Sequence, residues 1–466
     1  MKILVSLLFL SSVFSTYSFS PTDNHLINCG SPVDATVYNR PFVSDDASSN
    51  SNSPLLSAKR TISLINRNPI PNSPLIYNTA RVFEKPSKYV FEIKNPGTHM
   101  VRLHFHPFAS SNLDLNRAQF HVLVNGLVVL NNFTVANLAN PLIKEYLIPV
   151  DSDELVITFI PTRKHELGFV NAIEVISAPK DLIIDLATRL NGNGTEKFDG
   201  LTKHSLETMY RVNVGGPKLT PFNDSIWRTW MPDDGFFVSN ELSNTTYLGG
   251  RIKYQDGGAS REVGPDFVYG TARIIKSNNA SVLNTNMTWE FPVIKGYQHL
   301  VRLHFCDIAS MSLGLLYFNV YINEHLAYED FDISSAMYML ASPMYIDFVI
   351  SSDSSEVVRV SIGPSKSSTA YTVDGILNGV EIFKMNNSMG SLDGNMCSDM
   401  LLRSWSRGNI GVLVPLIAVL CILLSVSALM HKRTVGSRDS FAWTKLSNHA
   451  PEDALEHGNQ HFAGKK

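Results

Sequence analysis

The chain has 466 residues, of which 44% are hydrophobic and 17% charged, and its formal net charge is -3. This length allows two or three globular domains, and the composition excludes an intrinsically disordered chain. The near-neutral charge, without a cluster of lysines and arginines, excludes a nucleic-acid partner.

The first 20 residues have the pattern of a secretory signal peptide. Lys2 gives the positive start, residues 3–14 form the apolar stretch, and Ser15, Ser18 and Ser20 are small residues near a cleavage point. The apolar stretch is too short to cross a bilayer, so we expect export, the alternatives being a buried strand or an anchor helix.

Four sequence segments recur in the same order about 200 residues later, which predicts a duplicated unit. Residues 99–106 (HMVRLHFH) recur at 299–306 (HLVRLHFC), 79–81 at 271–273, 120–125 at 318–323, and 171–176 at 378–383. In these segments apolar and polar residues alternate, as in strands with one buried face, and turn residues separate them. The sequence therefore predicts an all-β body of two tandem jelly-roll sandwiches.

The repeat and the composition together predict the division of the chain. We expect a signal peptide at 1–20, sandwiches at 22–180 and 206–385, a connector at 181–205, a juxtamembrane stalk at 386–408, a transmembrane helix at 410–430 and a disordered tail at 431–466. Residues 410–430 carry no charge and are long enough to span a bilayer, and Lys432 and Arg433 follow them, as on a cytoplasmic side.

Seven N-glycosylation triplets all precede the apolar segment, at Asn132, Asn193, Asn223, Asn244, Asn279, Asn286 and Asn386. Their placement agrees with a single-pass type I protein whose body is extracellular. Cys29, Cys306 and Cys397 then lie outside and allow one disulfide, whose pairing the sequence leaves open.

Several motifs resemble the plant malectin-like receptor kinases, the Catharanthus roseus receptor-like kinase group that includes Feronia and Theseus. They are Asn28-Cys29-Gly30-Ser31, the two Val-Arg-Leu-His-Phe strands, Trp227-Arg228-Thr229-Trp230 and Pro232-Asp233-Asp234. The resemblance implies a plasma-membrane receptor at the plant cell wall. It also implies three partners: a secreted cysteine-rich peptide, a pectin-like wall polysaccharide, and a glycosylphosphatidylinositol-anchored co-receptor or a kinase-bearing relative.

That family carries a serine/threonine kinase after the membrane helix, and this sequence contains none of the kinase motifs. We therefore expect no enzyme activity and no cofactor, and a kinase-less receptor-like protein, such as a co-receptor, a decoy or a truncated form. The alternatives are a wall–membrane adhesion or carbohydrate-binding protein without signalling and, less favoured, a glycosidase, which would need two carboxylates flanking the bond.

The predicted ligand site is the aromatic and acidic loop that contains Trp227, Trp230, Asp233, Asp234, Phe236 and Phe237. Aromatic faces with carboxylates hold sugars, and similar anchors grip peptides. The alternative is that the tryptophans fill the core or the seam between the modules.

Three further groups have a structural interpretation. His104 with His106, and His304 with Cys306, lie two apart on strands but lack a third metal ligand, so we expect no metal site. Glu174 and Glu381 recur at equivalent positions, one in each unit, and are expected to be structural. The acidic run at 329–332 is expected to be a solvated loop.

Overall fold

The computed structural model describes residues 19–46, 55–57, 60–110, 112–135, 140–192, 194–238, 243–276, 286–351, 355–368, 373–407 and 410–436. Most of the predicted signal peptide, most of the predicted tail, Asn193 and Asn279 lie outside these ranges.

The N-terminal module is built from fourteen described strands. They are β1 (Asn24–Asn28), β2 (Ala35–Val37), β3 (Arg40–Ser44), β4 (Leu55–Ser57), β5 (Thr61–Ile65), β6 (Thr79–Phe83), β7 (Ser87–Glu92), β8 (Gly97–Phe105), β9 (Gln119–Val124), β10 (Leu127–Thr134), β11 (Leu142–Val150), β12 (Glu154–Pro161), β13 (Gly168–Val170) and β14 (Ala172–Ser177).

A hairpin within the predicted connector precedes the C-terminal module. The hairpin consists of β15 (Leu186–Asn191) and β16 (Gly194–Asp199). The module contains β17 (Leu206–Asn213), β18 (Met231–Pro232), β19 (Ser243–Tyr247), β20 (Thr271–Lys276), β21 (Met287–Pro292), β22 (Gln298–Cys306), β23 (Phe318–Ile322), β24 (His325–Phe331), β25 (Pro343–Ser351), β26 (Val357–Pro364), β27 (Val373–Leu377) and β28 (Gly379–Met385). The described α-helices are α1 (Asp266–Tyr269), α2 (Ile333–Met337), α3 (Ser398–Arg407) and α4 (Ile410–Gly436).

Each module is a β-sandwich around its own apolar core. In the N-terminal module the strands β11-β8-β14-β1-β3-β2 face β10-β9-β12-β7-β4 and a small sheet β13-β6-β5. In the C-terminal module β25-β22-β28-β17 face β21-β26-β23-β24 and β19-β20-β27. Phe105 and Phe120 belong to the first core, and their repeat partners Phe305 and Phe318 to the second. The predicted all-β class is confirmed.

The front sheets of the two modules are continuous. β11 pairs with β17 at Tyr146–Glu207 and Leu147–Leu206, and this pairing joins the modules into one sheet of 13 strands. We call this short pairing the seam. The connector hairpin extends the same sheet, because β15 pairs in parallel with β25.

The central repeated strands are buried on both faces, not on one face as their alternation predicts. Val101, Leu103 and Phe105 enter the core, whereas Arg102 and His104 point to the other face and are also buried, at 3% and 4% exposure. Loops cover that face, and ion pairs satisfy the polar side chains there. Sequence alternation cannot distinguish water from a buried ion-pair network as the partner of a polar side chain.

Helix α4 is long and apolar enough to cross a membrane, by length and composition, over Pro415–Arg433. Pro415 is the sixth residue of the helix, beyond the first turn, so it removes a backbone donor that would otherwise pair with the carbonyl of Gly411. The segment 386–402, within the predicted stalk, is packed against the N-terminal module, because Leu392 and Leu401 are buried among its residues.

Candidate ligand-binding cleft

A cleft opens beside the seam, where the modules diverge. The described residues of β11 and β17 pair at only two positions, and beyond Glu145 and Thr208 a space of about 680 Å³ separates the modules. Its walls include Tyr38, Arg40 and Tyr77 of the N-terminal module and Lys218, Trp227, Thr229, Met231 and Phe236 of the C-terminal module. The site is therefore composite, since both modules contribute side chains.

Four buried charged side chains lie beneath the cleft and link the modules. Arg102 Nε donates to Glu145 Oε2 at 2.7 Å, Arg211 Nη2 to Glu145 Oε1 at 2.7 Å, and Arg211 Nε to Glu381 Oε1 at 2.6 Å. Burial raises the pKa of Glu145, but the nearby guanidiniums of Arg211 and Arg102 outweigh it and bring the pKa to about 2. The carboxylate is thus ionised at any physiological pH, and Arg211 joins the modules by pairing with Glu145 of one and Glu381 of the other.

Each module also contains a buried tyrosine–histidine–glutamate series. The hydrogen bonds are Tyr77 to His104 Nδ1 at 2.9 Å, His104 Nε2 to Glu174 at 2.9 Å, Tyr269 to His304 Nδ1 at 2.9 Å, and His304 Nε2 to Glu381 at 3.2 Å. Both ring nitrogens of each histidine are therefore occupied. Among the described residues, no three His, Cys, Asp or Glu side chains converge as metal ligands.

Trp227 contacts the opposite wall of the cleft through Arg40. The guanidinium carbon of Arg40 lies 4.2 Å from the Trp227 ring centre, within cation–π range. Arg40 also pairs with Glu174 at 2.8 Å, while its Nε and Nη2 have no hydrogen-bond partner within the described part of the chain. The backbone φ of Trp227 is 60°, a strained value for a bulky residue, and such strain is common at binding sites.

Trp230 and Asp233 lie inside the C-terminal module. Trp230 is fully buried, and its Nε1 donates to Asp224 at 2.9 Å. Asp233 is 1% exposed and accepts hydrogen bonds from Arg273 Nε at 2.5 Å and Trp289 Nε1 at 2.9 Å. These two side chains hold the loop in place and do not line the cleft.

The other predicted site residues have mixed positions. Asp234 is exposed and pairs with Arg273 at 3.1 Å. Phe236 is half-buried, lines the cleft and stacks on Phe291 at 4.9 Å. Phe237 is half-buried against Trp289 at 5.2 Å. Of the six residues, the structure brings Trp227 and Phe236 to the cleft, and their contact with a ligand stays a prediction.

Sequence reasoning missed Arg40, Glu145 and Arg211. A signal for Arg211 was available: when the two Asn-x-Gly motifs are aligned, Arg211 falls at the position of Leu26, which is buried among apolar residues. A charged residue at an apolar position of a repeat indicates a new partner, here Glu145 of the other module.

The glycosylation triplets within the described residues differ in accessibility. Asn132, Asn223 and Asn244 are exposed. Asn286 and Asn386 are half-buried, and the Asn386 side-chain oxygen accepts a hydrogen bond from the Ser205 amide at 2.9 Å. The exposed three are the better acceptors, and glycosylation itself stays a prediction.

The described residues form a tandem β-sandwich with a composite cleft, followed by an apolar helix long enough to cross a membrane, which is the organisation of a single-pass membrane protein. The Malectin-like domain model matches residues 27–385, and the chain belongs to the malectin-like family. The resemblance predicted from the sequence motifs is thereby confirmed.

The relatives are plant receptor-like kinases. A probable receptor-like protein kinase of Arabidopsis thaliana is 46% identical over 379 residues, covering 80% of this chain and 45% of that protein. The Arabidopsis thaliana kinase THESEUS 1 is 38% identical over 400 residues, covering 84% of this chain and 46% of the kinase. The chain thus spans about half the length of the curated relatives it matches.

Solved structures share the fold. The plant receptor FER, in a crystal structure with the peptide RALF23 and LLG2, has a TM-score of 0.68 and 30% identity to this chain. The match covers 81% of this chain and 98% of that one.

Proposed function

We propose that this chain is the ligand-capturing part of a cell-surface receptor at the plasma membrane, and that it binds a secreted cysteine-rich peptide together with a glycosylphosphatidylinositol-anchored partner. The observation that carries the proposal is the composite cleft, whose walls place Tyr38 and Trp227 of different modules beside buried charges. Aromatic anchors at the centre of a concave surface are the usual hot spots of binding sites. The FER complex with RALF23 and LLG2 supports the class of ligand.

The receptor acts beside a kinase-bearing relative, as a co-receptor or as a decoy that sequesters the ligand. Either role needs only the binding step, which the cleft supplies. The residues matched by the family model, 27–385, include those that line the cleft.

A second candidate ligand is a pectin-like wall polysaccharide in the same cleft. Lys218 is exposed on the cleft wall, close in sequence to the aromatic loop. A cation beside Trp227 and Tyr38 suits a sugar that carries a carboxylate, because the ring faces stack on the sugar and the ammonium pairs with the acid.

The test is a titration of the full chain in lipid nanodiscs with RALF23 peptide, with and without LLG2, and separately with oligogalacturonides. We expect Tyr38→Ala and Trp227→Ala each to weaken peptide binding at least tenfold. Tyr247→Ala is the matched control, because Tyr247 is an aromatic residue with 79% exposure that does not line the cleft.

Peptide affinity no tighter than millimolar for the unmodified chain would exclude the peptide proposal. Absence of oligogalacturonide binding would exclude the polysaccharide, and binding that is insensitive to Lys218→Gln and to salt would exclude the cleft as its site. Equal effects of Tyr38→Ala and Tyr247→Ala would remove the cleft as the site.

A further inference from the structure

The segment 386–402, which we call the strap, follows the last strand of the C-terminal module and returns to the N-terminal module. The Leu392 amide donates to the Val128 carbonyl at 2.8 Å, and the Asn131 amide donates to Asp393 at 2.8 Å. Leu392 is fully buried in the N-terminal core, and Leu401 is buried at 4% exposure in a separate cluster on the same module. The strap is thus anchored to the N-terminal module by buried leucines and hydrogen bonds.

The strap is also bonded to the C-terminal side of the seam. The Asn386 amide donates to the Ser205 carbonyl at 3.0 Å, just before β17. The Gly394 amide donates to the Tyr297 hydroxyl at 2.7 Å. Since Tyr297 belongs to the C-terminal module, the strap connects the two modules independently of the seam.

The strap and the charge network lie on opposite faces of the joined sheet. Lys144 and Glu145 are neighbours on β11, so their side chains point to opposite faces. Glu145 faces the cleft network, whereas Lys144 pairs with Glu207, which also binds Lys384 at 2.6 Å. The Lys384 ammonium lies 5.1 Å from the ring of Tyr297, the residue that holds the strap. The strap therefore closes the face opposite the cleft network.

The seam between these two faces is short enough to act as a hinge. It has two paired positions, Tyr146–Glu207 and Leu147–Leu206. Because so few backbone positions are paired, the side chains on either face of the joined sheet provide most of the resistance to rotation of one module relative to the other. A rotation that widens the gap between the modules on one face of the joined sheet narrows the gap on the opposite face.

We propose that the strap sets the angle between the modules, and through it the width of the cleft, so that unseating the strap changes ligand affinity. The chain leaves the sandwiches through the strap, so a pull on residues beyond 402 acts first on Leu401 and Leu392 and loads the N-terminal module. The effect on affinity rests on the proposed function, whereas the effect on the angle does not.

Hydrogen–deuterium exchange of the full chain in nanodiscs tests the angle without a ligand. The strap variants are Leu392→Ala, which removes the buried anchor, and Tyr297→Phe, which removes only the hydroxyl that accepts from Gly394. Leu155→Ala is the matched control, because Leu155 is a fully buried leucine of the same core that lies on β12 outside the strap.

We expect both strap variants to speed exchange at least tenfold in the strap and in peptides 143–150 and 206–213, which contain the seam. The interior strand β12 should keep its wild-type rate in Tyr297→Phe. The proposal is overturned if the seam peptides are unchanged in Tyr297→Phe and if Leu392→Ala gives the same exchange map as Leu155→Ala.

Ligand binding is measured afterwards with RALF23 peptide. If Tyr297→Phe changes the affinity of the protein for the peptide at least fivefold and Tyr247→Ala does not change it, the strap controls the cleft. If Tyr297→Phe leaves the affinity unchanged, the strap does not control ligand binding. If the unmodified chain does not bind the peptide, the proposed function fails, while the exchange result still decides whether the strap sets the angle.

Discussion

Replacing Arg211 by methionine should lower the free energy of unfolding by more than the loss of a surface ion pair would. Arg211 is 9% exposed and holds both Glu145 and Glu381 at 2.7 Å or less. Its removal leaves two buried carboxylates with fewer partners, and breaking a buried ion pair in this way costs about 3–5 kcal/mol.

The pKa of Glu145 gives a related magnitude, which is the joint effect of Arg211 and Arg102 net of burial. Its displacement from the ordinary value of 4.5 to about 2 corresponds to about 3 kcal/mol at about 1.4 kcal/mol per pKa unit. Because the pKa is lower in the folded state, this stability is fully present above pH 4.5 and is lost as the pH falls towards 2. In Arg211→Met the pKa of Glu145 rises, so the destabilisation relative to the unmodified protein should be largest at pH 7 and should shrink towards pH 3.

The assay is urea unfolding of the full chain in detergent micelles, followed by tryptophan fluorescence at pH 7, 4 and 3. Arg261→Met is the matched control, since Arg261 pairs with Asp266 at 2.9 Å while both side chains are about half exposed. Such a surface pair contributes about 1 kcal/mol or less. A loss in Arg211→Met no greater than in Arg261→Met, or one that does not change with pH, would refute the account of the network.

Three other predictions concern the framework. Gly215→Ala should strongly destabilise the C-terminal module, because φ is +69° and a Cβ would lie 2.4 Å from the Ala272 carbonyl oxygen, whereas Gly235→Ala, with no described atom within 4 Å, should be tolerated in the same melting assay. Asp233→Asn should cost about 3 kcal/mol in urea unfolding, since it breaks the buried pair with Arg273, and a cost under 1 kcal/mol would argue against that pair. Cys29 and Cys306 are buried free thiols whose pKa is raised by burial, so maleimide at neutral pH should leave them unmodified until urea is added, as read by mass spectrometry. Modification in the native protein, or none after unfolding, would contradict this.

Part of the candidate site was accessible from the sequence. The loop at 227–237 was singled out because two tryptophans, two phenylalanines and two aspartates cluster there, and it does supply Trp227 and Phe236 to the cleft. The same pattern could not separate these from Trp230, which is fully buried. Side-chain type reports what a residue can do, whereas burial depends on which distant segment covers it.

The sequence alone determined the features that short segments encode. Alternation with period two, turn residues and the repeated segments are local, so they define strands and the duplication, and an uncharged run of 21 residues defines the apolar helix. Only the tertiary structure decided that β11 pairs with β17, that Arg211 joins two modules and that Leu392 returns to the N-terminal core. These contacts link residues far apart in the chain, and their free energy depends on burial and charge pairing that form only when both modules are folded side by side.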